Sequence, residues 1–242
     1  MLVIGDFKSL ELNTAFYLSQ DKVGIAELSD PKIDLHLDNQ ARFGLPEKRV
    51  AKFFVFRLIF GGTAAAYAYD PDFSSISNKT EYWQNVVDEF YLKYQGMQAW
   101  HSRLVLEAME TGRVTIPTGR FFCYSPYRAN NGQMTWPRTT ILNYPVQGLG
   151  ADLMVIARVL MASEMKRLKL TAKLICTVHD SMLYDAPESE VDVLCHLFYR
   201  VWEQIPRAFE KLYNVEYNIP CRVEVKYGPN WEEMTLHDQP TA

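Results

Sequence analysis

The sequence predicts an α+β fold, an antiparallel sheet with helices packed against it. Residues 174–183 supply the first observation. Leu174-Ile175-Cys176-Thr177-Val178 is apolar or β-branched, His179-Asp180-Ser181 is polar, and Met182-Leu183 is apolar again. That pattern reads as strand, tight turn, strand. Second, residues 187–213 place Val191, Leu194, Cys195, Phe198, Val201, Trp202, Ile205 and Phe209 at helical spacing, the face of a core helix. Third, Leu2-Val3-Ile4-Gly5 and the alternating residues 219–227 read as further strands. At 242 residues, 48% hydrophobic and 22% charged, the chain can bury a real core in one large domain or two small ones.

Taken in order, the first strand ends on the carboxylate of Asp6, and residues 9–18 follow at helical spacing through Leu12, Ala15 and Phe16. Residues 21–44 are polar and mixed, with a short helix expected after Asp34-Leu35-His36 and ending near Gly44. A helix is expected from Pro46, in its first turn, to Gly61-Gly62 at its end. Four-residue steps put Lys48, Lys52, Phe56 and Phe60 on one face of it, cationic at the start and aromatic at the finish. A ligand with phosphates at one end and a flat base at the other matches such a face, as does the rim of an amphipathic core helix. Residues 78–110 read as mostly helical, with Trp83, Val86, Val87, Phe90, Tyr91 and Tyr94 inward. Residues 112–127 read as short strands and turns, and residues 139–168 as helix again. Asn143 and Gln147 are amides four residues apart there, suited to minor-groove acceptors present at every base pair, or to capping.

Net charge is −4, which does not advertise a nucleic-acid binder. Between Glu110 and Asp152, however, no acidic residue occurs, while Arg113, Arg120, Arg128 and Arg138 do, a basic stretch that suits a phosphate backbone or an ordinary loop surface. Cys123, Cys176, Cys195 and Cys221 are widely separated, so neither a zinc site nor a disulfide framework is expected from them. Cys176 and Cys195 read as core thiols. No signal peptide and no apolar stretch long enough to cross a membrane are read, and the expected compartment is reducing and cytoplasmic (the host's, for a viral protein).

The carboxylates of Asp6 and Asp180 each end a strand, and sheet pairing can bring them together. An acidic residue at a β-turn is also an ordinary turn former. Two close carboxylates stay ionised together only where a cation neutralises them. A pair of Mg²⁺ ions would do so, one activating a 3′-hydroxyl and the other steadying a leaving pyrophosphate. The lysine-bearing helix would bind the triphosphate.

Several motifs then coincide. Asp6-Phe7-Lys8-Ser9-Leu10-Glu11-Leu12 resembles the first palm motif of family A (DNA polymerase I-like) DNA polymerases, and residues 48–62 resemble their fingers helix. Residues 143–154 are similar to the segment carrying their minor-groove glutamine. Val178-His179-Asp180 resembles their last palm motif, and residues 223–231 their closing strand. The resemblance covers nearly the whole chain in the family's order. It implies a right-hand palm over residues 1–20 and 139–242, with helical fingers over residues 21–138. It also implies dNTPs, primer-template DNA and two Mg²⁺ ions (or Mn²⁺) as ligands.

On that resemblance Asp6 and Asp180 bind both metals, with the Phe7 carbonyl as a further ligand. Glu11 is the gate against a ribose 2′-hydroxyl. Lys52 holds the triphosphate with His36 and Lys48, and Phe56 and Phe60 stand near the incoming nucleotide and the templating base. A phenylalanine at Phe56 disfavours dideoxynucleotides relative to a tyrosine. Arg138, Asn143, Gln147 and His179 touch primer-template. Some residues depart from the family pattern. Lys48 stands for an arginine and loses its bidentate fork; Phe60 stands for a tyrosine, Ser181 for an acidic residue and Asn13 for an arginine.

The family's thumb and exonuclease-like domain are not among these motifs. The expectation is therefore the C-terminal part of a split, phage-type polymerase whose N-terminal half is a separate chain, or else of a truncated one. The first strand is expected to be exposed and in need of a partner. Rival readings are a non-catalytic DNA-binding subunit of polymerase descent, a polymerase making RNA, and a metal-dependent phosphohydrolase built on His179-Asp180.

Overall fold

The structure, a computed structural model, describes residues 1–238. Strand β1 (Leu2–Phe7) leads into α1 (Leu10–Ser19), α2 (Lys22–Ser29), α3 (Leu35–Phe43), α4 (Lys48–Ile59), α5 (Ala64–Tyr69), α6 (Pro71–Ser74), α7 (Thr80–Lys93) and α8 (Gln95–Thr111). Two small hairpins follow, β2 (Arg113–Thr115) with β3 (Phe121–Cys123) and β4 (Tyr127–Arg128) with β5 (Met134–Thr135). The long helix α9 (Arg138–Leu168) then gives way to β6 (Lys173–Val178) and β7 (Ser181–Asp185). A 3₁₀ turn (Glu188–Glu190), α10 (Val191–Tyr213), β8 (Val223–Gly228) and β9 (Thr235–Leu236) complete the order.

The chain folds as two compact units, one of residues 1–10 and 149–242 and the other of residues 11–148. The family resemblance implies a palm and fingers divided at 20/21 and 138/139; the compact units divide inside α1 and α9. A continuous helix crosses from unit to unit without any change of sequence pattern, so polarity does not mark the crossing.

The first unit is built on a five-stranded sheet in the order β6-β7-β1-β8-β9, antiparallel at every junction. β1 is its central strand, with Val3 and Phe7 fully buried. The expectation of an exposed first strand is therefore overturned, because β7 and β8 take up both of its edges. Strand β6 lies at one edge instead and exposes Leu174, Ile175 and Val178. Its Cys176 is half-buried, not a core thiol, whereas Cys195 is buried as expected.

Helix α10 covers the sheet with the predicted apolar face, all eight named positions being buried. Phe198 lies where Gly5 leaves room: a Cβ on Gly5 would come within 2.3 Å of its ring. Trp202 meets Phe7 at 6.1 Å between ring centroids, and Tyr184 meets Phe198 edge to face at 5.6 Å.

The second unit is helical around an aromatic core. Phe54 of α4 contacts Phe43, Tyr67, Trp83 and Phe90, and the Tyr67 hydroxyl donates to the Phe54 carbonyl at 2.9 Å. Beside it lies a buried polar cluster. Lys93 Nζ reaches Glu27 at 2.7 Å, Asp38 at 2.8 Å and Asn39 at 2.7 Å, and Tyr94 donates to Glu27 at 2.7 Å. Removing Lys93 would leave the buried Glu27 carboxylate without its counter-charge.

Asp21 caps α2 through the Val23 and Gly24 amides and also accepts the Met97 amide from the start of α8. Residues 78–110 are mostly helical as expected, in two helices, α7 and α8, that meet at Tyr94, whose φ of −108° and ψ of 69° are not helical. Pro46 lies outside α4, whose N-cap is Glu47.

Helix α9 also corrects a reading. By length and composition it could cross a membrane, with a mean hydropathy of 1.4 over its most apolar window. Half of that window is buried inside the protein. Its apolar side, including Ile141, Leu142, Leu149, Leu153, Ala157 and Met161, is used up in the core.

Candidate active site

In the first unit the site begins with strand register. Asp6 of β1 pairs directly with Ser181 of β7, and the Phe7 amide donates to the Asp180 carbonyl at 2.8 Å. The residues carrying the two predicted carboxylates are thus neighbours across one strand boundary. The sequence folds this way because the apolar runs of β6 and β7 pair from Val178 and Ser181 outward, leaving His179 and Asp180 as a two-residue turn.

His179 takes a φ of 51°, a left-handed conformation uncommon outside glycine. Such a conformation costs about 1 kcal/mol or more and persists where surrounding structure over-determines it. Here the Ser181 hydroxyl donates to the Val178 carbonyl at 2.9 Å and closes the turn. An ionised acidic residue could not make that bond, which gives the departure at Ser181 a structural role.

Across β1 on the other side, Asp6 faces Glu224 of β8. Directly opposed residues share a sheet face, so Glu224, Asp6 and Ser181 form a row. Glu224 pairs with Lys226 at 2.7 Å. The hydrogen bond from Lys226 holds the Glu224 carboxyl below its usual range against some desolvation. The same bond to Glu224, with added attraction from Glu224 and Asp6, raises the Lys226 ammonium. Lys8 adds a weaker attraction to Glu224. The carboxylate oxygens of Asp6, Asp180 and Glu224 are hard donors of the kind that suits Mg²⁺. Phe7 is fully buried, its ring against Trp202. Glu224 and Lys226 are not among the residues singled out from sequence. Their signal is the alternation Val223-Glu224-Val225-Lys226, which puts both charges on one face of a strand whose neighbour only the fold reveals.

In the second unit, α4 presents the predicted row. Lys48 and Lys52 are exposed, Phe56 is half-buried, and Phe60 stands at the C-cap. Lys52 Nζ lies 5.8 Å from the centre of the Phe56 ring, and the His36 ring lies 6.0 Å from Phe56. Lys52, His36 and Phe56 are therefore brought together.

Burial, with Lys52 adding to it, lowers the His36 pKa to about 4, so the imidazole is neutral at pH 7. Its Nδ1 is buried without a hydrogen-bond partner among the described residues. Lys48 donates to the Asp34 carboxylate, which also accepts the Leu37 amide at 3.1 Å as the N-cap of α3. Burial works to raise Asp34, but the Lys48 and Leu37 hydrogen bonds bring it below its usual value. Asp34, paired with Lys48, is a third residue that the sequence reading did not single out for the candidate site; it reads only as a helix start.

Glu11 occupies the first turn of α1. Arg138 opens α9, and Asn143 and Gln147 lie one turn apart on it, half-buried and exposed respectively, beside exposed Tyr144. They are interior helix positions, not caps. Pro145 between them has no N–H for the Ile141 carbonyl. The arginines of the basic stretch are exposed, and Arg113 stacks over Phe121 at 3.8 Å. The predicted residues thus fall in two sets: Asp6, Phe7, His179 and Asp180 in the first unit, and the remainder in the second.

Residues 1–233 match the family described as DNA polymerase family A. The chain belongs to that family. Curated relatives include DNA polymerase I of Chloroflexus aurantiacus, 26% identical over 96% of this chain and 24% of its own length. DNA polymerase I of Pseudomonas aeruginosa is 27% identical over 96% of this chain and 25% of its own length. The family A chain described here thus spans about a quarter of the curated relatives it matches. Among solved structures, the POL domain of Pol1 from M. smegmatis, in complex with DNA primer-template and dNTP, superposes with a TM-score of 0.72. It is 21% identical, over 96% of this chain and 40% of that one. The fold of this family A chain is accordingly that of part of a polymerase domain.

Proposed function

We propose that the chain performs template-directed DNA synthesis, transferring a nucleotide from a dNTP to a primer 3′-hydroxyl. The observation that carries this reading is the pairing of Asp6 with Ser181 together with the Phe7–Asp180 hydrogen bond, which makes the two carboxylate-bearing residues backbone neighbours in a family A chain. Asp6 and Asp180, with the Phe7 carbonyl, would hold two Mg²⁺ ions. When bound, these supply Lewis-acid stabilisation to the attacking and leaving oxygens.

The chain's own residues do the rest. Lys52 and Lys48 bind the triphosphate, and Lys52 places positive charge where the transition state gathers negative charge. His36, neutral at pH 7, offers an N–H to a phosphate oxygen without adding charge. Phe56 supplies an apolar surface for sugar and base. Glu11 excludes a 2′-hydroxyl and so selects deoxynucleotides over ribonucleotides. Arg138, Asn143, Gln147 and His179 position primer-template.

The family relationship and the clustering of Lys52, His36 and Phe56 favour this reading over a non-catalytic DNA-binding subunit, which needs no such cluster. The strand-turn-strand setting of His179-Asp180 disfavours a phosphohydrolase.

Primer extension with the purified chain tests the proposal, with and without a polypeptide supplying the remainder of a polymerase. The second arm also reads the split arrangement, in which a separate chain grips the duplex: extension that depends on the added chain supports it, and full activity alone removes it. Asp180→Asn should lower extension at least about 100-fold, as expected for losing several kcal/mol of charge stabilisation. Primer-template binding should be retained. Extension at wild-type rate by Asp180→Asn would overturn the reading.

A further inference from the structure

We propose a transition-metal site, distinct from the Asp6–Asp180 pair, formed by Asp192, His196 and His237 and suited to Zn²⁺. One donor atom from each of the three lies within 4.8 Å of the others. Asp192 and His196 are one turn apart at the start of α10, and His237 follows directly after β9. The carboxylate sits between the imidazoles: Oδ2 is 3.3 Å from His196 Nδ1, and Oδ1 is 3.4 Å from His237 Nε2. Both separations are long for hydrogen bonds between such groups. Each is close to the edge of a tetrahedron with metal–ligand bonds of about 2.0–2.1 Å, which is about 3.3 Å, but the two use different carboxylate oxygens, so ligation through a single oxygen requires the Asp192 carboxylate to turn.

The site is held from behind. The His237 amide donates to the Val225 carbonyl at 2.8 Å, and the Tyr199 hydroxyl donates to the His237 carbonyl at 2.7 Å. The His237 ring packs near Tyr199 and Tyr227, and its side chain is only 13% exposed. Asp192 is 79% exposed, so the donors lie at the side of an open cleft that an ion can enter. His196 Nδ1 also lies 2.8 Å from the Asp192 carbonyl oxygen. Ligation through Nδ1 would displace the proton of that contact; ligation through Nε2 would keep it as a supporting hydrogen bond.

Two imidazoles and one carboxylate favour Zn²⁺, Co²⁺ or Ni²⁺ over Mg²⁺, which prefers oxygen donors. Three protein donors leave a fourth position to solvent. Bound metal would tie the segment after β9 to the first turns of α10. Nothing in this depends on the polymerase reading.

The test is titration of the whole chain with Zn²⁺ by calorimetry, and with Co²⁺ by visible absorption. The expected result is one site with a tetrahedral-type Co²⁺ spectrum. His196→Ala and His237→Ala should each weaken it by more than about tenfold, since even supporting partners of metal ligands are worth that much. Asp6→Asn and Asp180→Asn should leave it intact. His196 is exposed, so His196→Ala tests the site even if His237→Ala folds poorly. Equal Zn²⁺ affinity in the wild type and His196→Ala would overturn the proposal, as would loss of the site in Asp6→Asn or Asp180→Asn.

Discussion

The carboxylate of Asp34 serves two partners. It caps α3 through the Leu37 amide and binds the Lys48 ammonium, the group proposed to meet the triphosphate. A triphosphate must therefore compete with Asp34 for Lys48. Asparagine caps a helix as well as aspartate does, so Asp34→Asn should keep the cap and remove only the competing charge. The pair is exposed, and such pairs contribute about 0–1 kcal/mol, which corresponds to a fall in KM for dNTP of up to about fivefold. A rise in KM would mean instead that Asp34 holds Lys48 in its working position. The candidate-site residues that the sequence singles out are those whose chemistry is announced by their own element: Asp6 and Asp180 at strand ends, Lys52 and Phe56 on one helical face. Asp34 and Glu224 are not among them, because each matters through a neighbour that is distant along the chain or on another strand.

At the scale of elements, local pattern was a good guide where periodicity ran unbroken, as in α10 and the β6–β7 hairpin. It did not mark the junction of α7 and α8 at Tyr94, and it failed where a short polar helix gave little period to read, as in α2. Strand order failed for a different reason. The run Leu2-Val3-Ile4-Gly5 declares a buried strand but not its neighbours, and the structure sets it at the centre of the sheet. That placement explains Gly5. It lets the Phe198 ring of α10 approach the β1 backbone closely, and a Cβ there would overlap the ring at 2.3 Å. Overpacking of this kind costs about 1–3 kcal/mol. Gly5→Ala should therefore lower the thermal midpoint, and Gly5→Ala with Phe198→Leu should recover part of the loss. An unchanged midpoint in Gly5→Ala would show that α10 is free to shift away from the strand.

For the whole molecule, the α+β class was legible in the sequence, and the boundaries of the two compact units fall inside α1 and α9. The two units should nonetheless differ in their response to acid. His101 is buried in the second unit with its Nδ1 3.0 Å from the Tyr91 hydroxyl, and burial, helped by the positive charge of Arg138, lowers its pKa to about 4. His36, in the same unit, is lowered to about 4 as well. An unfolded histidine takes up its proton near pH 6.5. As pH falls below that value the unfolded chain gains protons that the folded chain refuses, so stability present at pH 7 is lost progressively toward pH 4. For His101 the loss is on the order of 2–3 kcal/mol. In the first unit the groups held below their usual values are half-buried carboxylates, Glu164, Glu190 and Glu224, whose losses begin only below about pH 4.5. Urea melts between pH 7 and 4.5 should therefore show the second unit weakening first, with amide exchange rising in α3, α7 and α8 before the sheet. His101→Gln keeps a partner for Tyr91 but carries no titrating proton, so its melts should fall less steeply over that interval. An equally steep fall in His101→Gln would place the acid sensitivity elsewhere.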